Sequence, residues 1–320
     1  MEYRYNGGMK FSELAKYLQK LEGTSSRTEM TKILAELFRQ ASPEDARLIA
    51  YLSAGKLGPA YNSPDMGIAD KMMLKTLGEK AEKLFKQKGD LGLVAQELGV
   101  GSGNLSIKEV HELLGRIAKA SGTGSQEKKQ NLIRNLLESL DPVGAKYAVK
   151  IILGKLRTGF SDMTVLDSLS WMMTGDKSKR KEIEEIYNVR ADLGEIAETL
   201  KRLKRVEALN PQLGTPVLMA QAERAKTPQD IWVRNGPCAL EYKLDGLRIQ
   251  AHIQCSMLNA QCSVKLFSRG LEDVTHMYPD ICEGLQKQIK KDCIVEGEMI
   301  AVGETGKFLP FQETVQRKRK

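Results

Sequence analysis

The sequence predicts a two-part chain: an all-helical first half followed by an α/β second half. Three observations predict it. From Phe11 to about Arg205, apolar residues recur at helical spacing and no long alternating run interrupts them. Beyond about Val206 the period shortens to two. There Leu247, Ile249, Ala251 and Ile253 alternate with Arg248, Gln250, His252 and Gln254. Between the two regimes, Asn210-Pro211-Gln212-Leu213-Gly214-Thr215-Pro216 has the composition of a connector.

The elements follow in chain order. Phe11, Leu14, Ala15, Leu18 and Leu21 share one helical face, and Ile33, Leu34, Leu37 and Phe38 repeat the pattern. Ser42-Pro43-Glu44-Asp45 offers an N-cap, a proline at the first helical position and acids in the first turn. Ser106 with Glu109 has the form of a capping box. Leu132, Ile133, Leu136, Leu137 and Leu140 form another apolar stripe. In the second half a helix is expected around Ala220 to Ala225 and another within Gly270 to Lys291. Strands are expected at Leu247–Gln254, Val264–Ser268 and Cys293–Val302.

Composition narrows the function classes. The chain has 320 residues, 41% hydrophobic and 28% charged, with no apolar stretch near the roughly 20 residues that span a bilayer. No signal-peptide core opens it, so a cytoplasmic protein without a membrane partner is expected. The formal charge is +8, a balance that suits a polyanionic partner, and Arg317-Lys318-Arg319-Lys320 is its local extreme. Five cysteines, with no C-x-x-C pair and three histidines in the chain, argue against a zinc site or a disulfide framework. Reduced, partly buried thiols are the expectation.

The chemistry centres on "EYKLDGLR", residues 241–248, which sets Lys243 between apolar runs. Three readings stand side by side. Leu244-Asp245-Gly246 can make a hairpin turn. A phosphate grip of the P-loop kind is excluded, since the G-x-x-x-x-G-K-[ST] frame is missing. A nucleophilic lysine must lose its proton near neutral pH from a reference pKa of about 10.4, with help from burial beside cations or from a divalent metal. In "CIVEGEMIAV", Glu296 and Glu298 lie two apart on a strand, so both carboxylates face one side. A ribose, a metal or a partner arginine would each account for that. In the helical half, Gly122, Thr123, Gly124 and Ser125 precede a helix bearing Lys128 and Lys129. Arg157, Thr158 and Gly159 stand before another. Such starts are either ordinary N-caps or phosphate contacts made by free backbone N–H groups.

Taken in order, K-x-D-G-x-R, "LFSRGLEDVTHMYPDI", the E-G-E strand and "PFQETVQRKRK" resemble ATP-dependent DNA ligases of the archaeal and eukaryotic replicative type, and the resemblance runs from about residue 9 to 320. It implies a leader at 1–8, an all-α DNA-binding domain at 9–207, a linker at 208–214 and, at 215–320, the first part of an adenylation (nucleotidyltransferase) domain with a mixed or antiparallel sheet. It implies that Lys243 takes AMP from ATP and that Glu241 reads the adenine. Arg248 and Glu298 would hold the ribose and a phosphate, and Arg269 the phosphate of the nicked strand. Asp245 and Glu296 would support the site or a metal, with the metal ligands themselves unassigned. ATP and Mg²⁺ are the implied cofactors. Nicked duplex DNA is the implied partner, gripped by the two loop-plus-helix elements, with a sliding clamp among the candidates. Ligases of this family continue past the basic run, so the chain reads as an N-terminal portion that binds DNA and has little activity alone. A non-catalytic DNA-binding module and an RNA ligase or capping-type nucleotidyltransferase are the competing readings.

Overall fold

A computed structural model describes residues 8–99, 101–256 and 261–316. Its contacts group the chain into two compact units. One takes residues up to Tyr187 together with Asp192–Leu209. The other takes Asn188–Ala191 and the residues from Asn210 on. The short Asn188–Ala191 piece joins the second unit through two main-chain bonds, Ala191 N–H to Pro216 O at 3.2 Å and Leu218 N–H to Asn188 O at 2.8 Å.

The helical unit contains α1 (Phe11–Glu22), α2 (Arg27–Gln40), α3 (Pro43–Ser53), α4 (Asp70–Leu77), α5 (Glu79–Lys88) and α6 (Leu91–Leu98). There follow α7 (Ile107–Lys119), α8 (Ser125–Glu138), α9 (Pro142–Ile152), α10 (Asp162–Thr174), α11 (Arg180–Val189) and α12 (Leu193–Leu203). The apolar stripes become the core: Phe11, Leu14, Ala15, Leu18 and Leu21 of α1 are fully buried, as are Leu34, Leu37 and Phe38 of α2. The cap signals also appear as expected. Ser42 accepts from Asp45 N–H at 3.0 Å with Pro43 in the first turn, and Ser106 and Glu109 close a capping box.

Two polar nodes lock this unit. Glu22, at the end of α1, accepts from Lys146 Nζ and Lys150 Nζ at 2.5 Å each and from Tyr147 Oη at 2.8 Å, tying α1 to α9. Lys150 also reaches Asp90 at 3.3 Å. Burial alone raises the Glu22 carboxyl, but those three hydrogen bonds outweigh it and bring the group down to about 2. At the other node, Asp192 caps α12 and accepts from buried Tyr51 Oη at 2.7 Å. Burial and the Asp192 charge both raise the Tyr51 phenol, so the shared proton stays on Tyr51.

The second unit is built on a three-stranded antiparallel sheet in the order β2-β1-β3, with β1 (Leu247–Cys255) central between β2 (Cys262–Ser268) and β3 (Cys293–Met299). Helices α13 (Pro228–Asn235), α14 (Pro279–Gln288) and α15 (Phe311–Gln316) accompany it. Ile249, Ala251 and Ile253 share a buried cluster with Val264, Leu266, Val274, Tyr278 and Met299, against which Ile281, Cys282 and Leu285 pack.

Two expectations are corrected here. The helix expected around Ala220 to Ala225 forms instead at Pro228–Asn235. Ala220 to Ala225 has helix-forming side chains but no start signal. Thr227, by contrast, caps α13, its hydroxyl accepting from Asp230 N–H at 3.2 Å while Asp230 accepts from Thr227 N–H at 3.0 Å. The cysteines are not all reduced thiols: Cys255 and Cys262 form a disulfide. The β1–β2 register makes them direct cross-strand partners at a Cα separation of 3.9 Å, a proximity that counting and spacing do not reveal. On the polar side of β1, Gln250 and His252 are both buried. The leader to residue 7, the centre of the 254–263 insert and the basic tail at 317–320 lie outside the described residues.

Candidate functional site

Strand direction gathers the motif residues. Because β1 runs antiparallel to both neighbours, its start, the end of β2 and the end of β3 lie at one end of the sheet. Arg248 pairs in register with Glu298, and Ile249 with Ser268, the residue before Arg269. Glu241, Lys243 and Asp245 occupy the stretch leading into β1. The sheet thus brings the K-x-D-G-x-R segment, the F-S-R turn and the E-G-E strand to a common edge.

Gly246 has a steric reason for its place in the motif. A Cβ there would lie 2.2 Å from Met299 O, a main-chain atom that cannot swing aside. The requirement is for close approach between the entry to β1 and the end of β3, not for a left-handed turn. Past Arg269 the chain turns sharply: Ser268 N–H donates to Glu272 O at 2.9 Å and Leu271 N–H to Ser268 O at 2.9 Å. Leu271 is held at φ 65°, an unusual conformation for a branched side chain and one that the motif pattern did not signal.

The charged groups divide into engaged and available. Arg248 forms an ion pair with Glu296 Oε2, and Glu296 Oε1 accepts from Gln250 Nε2 at 3.0 Å. Of the two same-side carboxylates, Glu296 therefore has the partner arginine that the sequence left as one option. Asp245 Oδ2 accepts from Phe311 N–H at 3.3 Å, fastening the start of α15 beside the motif. Glu241, Lys243 and Arg269 are exposed, and Glu298 is half-buried. The apolar run before Lys243 is not a buried frame. Leu240 is 90% exposed and Tyr242 97%, because pairing starts only at Leu247. Lys243 thus stands in solvent.

In the helical unit, α8 and α10 begin without a side-chain cap, as α4 and α5 also do. Side chains of Ser26, Ser42, Asp90, Ser106, Asp141 and Asp192 cap α2, α3, α6, α7, α9 and α12. Neither Gly124 before α8 nor Ser161 before α10 supplies a side-chain cap. Gly122, Gly124 and Gly159 hold left-handed backbone at φ 84°, 74° and 77°. Uncapped N–H groups on a glycine-shaped start favour an external anion. The side chains nearby split in two. Gly122, Thr123, Gly124, Lys128, Arg157 and Gly159 are exposed, and Ser125 is half-buried. Lys129, however, donates to Met66 O at 2.6 Å, and buried Thr158 donates to Ser53 O at 3.3 Å. Those two hold local structure together.

Comparison with known proteins covers both halves of the chain. A family model described as "DNA ligase N terminus" matches residues 10–170, and one described as "ATP dependent DNA ligase domain" matches 219–320. The chain belongs to the ATP-dependent DNA ligase family. It is 41% identical to a probable DNA ligase of Dictyoglomus turgidum over 98% of this chain and 55% of that protein. It is 39% identical to DNA ligase 2 of Thermofilum pendens and 38% identical to a DNA ligase of Nitrosopumilus maritimus, with the same two coverages. The chain therefore spans about half the length of the curated relatives it matches, 55% in these three. The helical first match and the antiparallel second match are the fold class expected from the two periodicities. No helix among the described residues is long and apolar enough to cross a membrane.

Proposed function

We propose that this ligase-family chain grips nicked duplex DNA through its helical unit and carries, in its sheet unit, the lysine that accepts AMP from ATP. The observation that carries the reading is the convergence of the Lys243 segment, Arg248, Glu298 and the Arg269 turn at one end of the sheet. Neutral Lys243 Nζ would attack the α-phosphorus of ATP. The P–N bond forms as the bond to pyrophosphate breaks. AMP would then pass to the 5′-phosphate at a nick, and the 3′-hydroxyl would displace it to leave a phosphodiester.

The surrounding residues serve that sequence by placement and charge. Glu241 reads the adenine amino group, Arg248 and Glu298 hold the ribose and adjoining phosphate, and Arg269 meets the phosphate of the nicked strand. Asp245 and Glu296 support the site through Phe311 and Arg248. A divalent metal fits this donor set as an ion carried largely by the nucleotide. Among the described residues no three ligating side chains gather, whereas Mg²⁺ commonly takes one or two carboxylates together with phosphates and water. Glu298 is the carboxylate placed to contribute. When bound, Mg²⁺ would neutralise charge on the triphosphate.

Lys243 in open solvent supports a further point: this chain by itself binds DNA and nucleotide but has little or no sealing activity. DNA affinity would come from the starts of α8 and α10, with Lys128 and Arg157 on phosphates, and so without sequence preference. Incubation with α-labelled ATP, GTP or NAD and Mg²⁺, followed by peptide mapping, tests the site. Any label is expected from ATP and on Lys243, at a low level. Label from GTP and not ATP would sink the reading in favour of a capping-type enzyme. Nicked-duplex binding across a salt series tests the grip, and a nearly flat salt dependence would count against it.

A further inference from the structure

The polar side of β1 continues inward from Arg248 as a buried chain of hydrogen bonds that nucleotide contact does not explain. Gln250 and His252 follow Arg248 on the same face and are 1% and 3% exposed. The main-chain N–H of Gly214 donates to His252 Nδ1 at 3.0 Å. That nitrogen is therefore unprotonated, and the other, Nε2–H, donates to Gln250 Oε1 at 2.8 Å. Gln250 Oε1 also accepts from Val217 N–H at 2.8 Å. Its Nε2 donates to Val217 O at 3.3 Å and to Glu296 Oε1 at 3.0 Å. Both donors and both acceptor positions of the amide are thus filled, and its orientation is the only one the partners allow. Glu296 then receives Arg248 on its other oxygen. Burial, with Lys265 as a lesser cause, lowers the His252 imidazole to about 4. A neutral ring is what one donor and one acceptor require.

We propose that Gln250 and His252 are positioning residues that tether Glu296, and through it Arg248, to the connector main chain at Gly214 and Val217. The proposal rests on the reading of Arg248 as a nucleotide contact. Without a tether, Arg248 and Glu296 would be a half-exposed ion pair, free to change rotamer and screened by salt. With it, one carboxylate oxygen is fixed by a saturated amide, so the other presents the guanidinium in one geometry before ligand arrives. The tether also explains why a strand paired on both edges hides its polar side under the connector, where Gly214 and Val217 supply main-chain groups to it.

The test compares wild type with Gln250→Leu in the 320-residue chain. ATP affinity in Mg²⁺ is measured by titration calorimetry, alongside amide exchange at Gly214 and Val217. Exchange at Ile249, Ala251 and Ile253 serves as the folding control. The expected result is ATP binding weakened about tenfold, the scale of one buried hydrogen-bond network losing a partner. Exchange should quicken at the two connector amides but not in β1. His252→Asn keeps an acceptor toward Gly214 but cannot reach Gln250, and should weaken binding about threefold. If Gln250→Leu does not fold, His252→Asn decides the matter. Folded variants with wild-type ATP affinity would overturn the tether and leave the site reading intact. Wild type with no ATP affinity would overturn the site reading and the tether with it.

Discussion

The two units solve burial in opposite ways. In the helical unit the large side chains are inside, and polar groups that enter the core, such as Lys146, Lys150 and Asp192, find charged or hydroxyl partners there. In the sheet unit, Trp232, Val233, Leu240, Tyr242, Val302 and Phe308 are all more than half exposed, and the candidate site lies among such residues. The difference teaches where structure and chemistry are separable. The helical unit is a closed scaffold whose proposed ligand groups are main-chain ends on its surface. The sheet unit has a small closed core beneath an open edge, so its proposed reactive residue, Lys243, precedes the strand ladder and is not enclosed.

The comparison can be broken most forcefully at Glu22. Glu22→Gln removes the charge that pairs with two buried lysines. It should destabilise the helical unit by about 3 kcal/mol, read as a lower urea midpoint, because breaking a largely buried pair strands its partner. The folded carboxyl titrates at about 2, below its ordinary range. Its contribution is therefore full above about pH 5, fades as pH falls toward 2, and the gap between variant and wild type should shrink with it. A gap that grew on acidification would contradict the assignment.

Gly246→Ala is the counterpart in the sheet unit. Its Cβ would meet Met299 O, so a loss of about 2 kcal/mol is expected from overpacking. The damage should appear as faster amide exchange in β1 and β3, with the helical unit's exchange unchanged. Reduction of Cys255–Cys262 should cost about 1 kcal/mol in the sheet unit alone, at the low end for disulfides because it closes a short loop already held by a ladder. The smallest effect sharpens the DNA reading. Lys128→Ala should lower the salt slope of nicked-duplex binding by about one without changing stability. Lys129→Ala should do the reverse, since its ammonium holds Met66 O.

Much of the scaffold was legible because helical packing repeats at short range. Spacing at i, i+3 and i+4 marks the buried face of α1 and α2 directly, and Ser42 and Ser106 announce their helices within four residues. The site was legible in part. The motif order singles out Lys243, Arg248 and Glu298 as candidates, and the strand register brings their segments to one edge. The pairing of Arg248 with Glu296 and the inward commitment of Thr158 and Lys129 depend on residues far along the chain. The disulfide and the buried Gln250–His252 chain were illegible for the same reason. The first needs the strand register, and the second needs main-chain groups around Gly214 and Val217 brought over the polar side of β1.

By itself, then, the sequence determined the two periodicities, the caps and the ordered motifs, since each is a property of neighbouring residues. Tertiary structure alone decided which charges are spoken for, which glycine is sterically required and which polar face is hidden. Those are properties of groups brought within a few ångströms by register and packing, and no local pattern carries that distance.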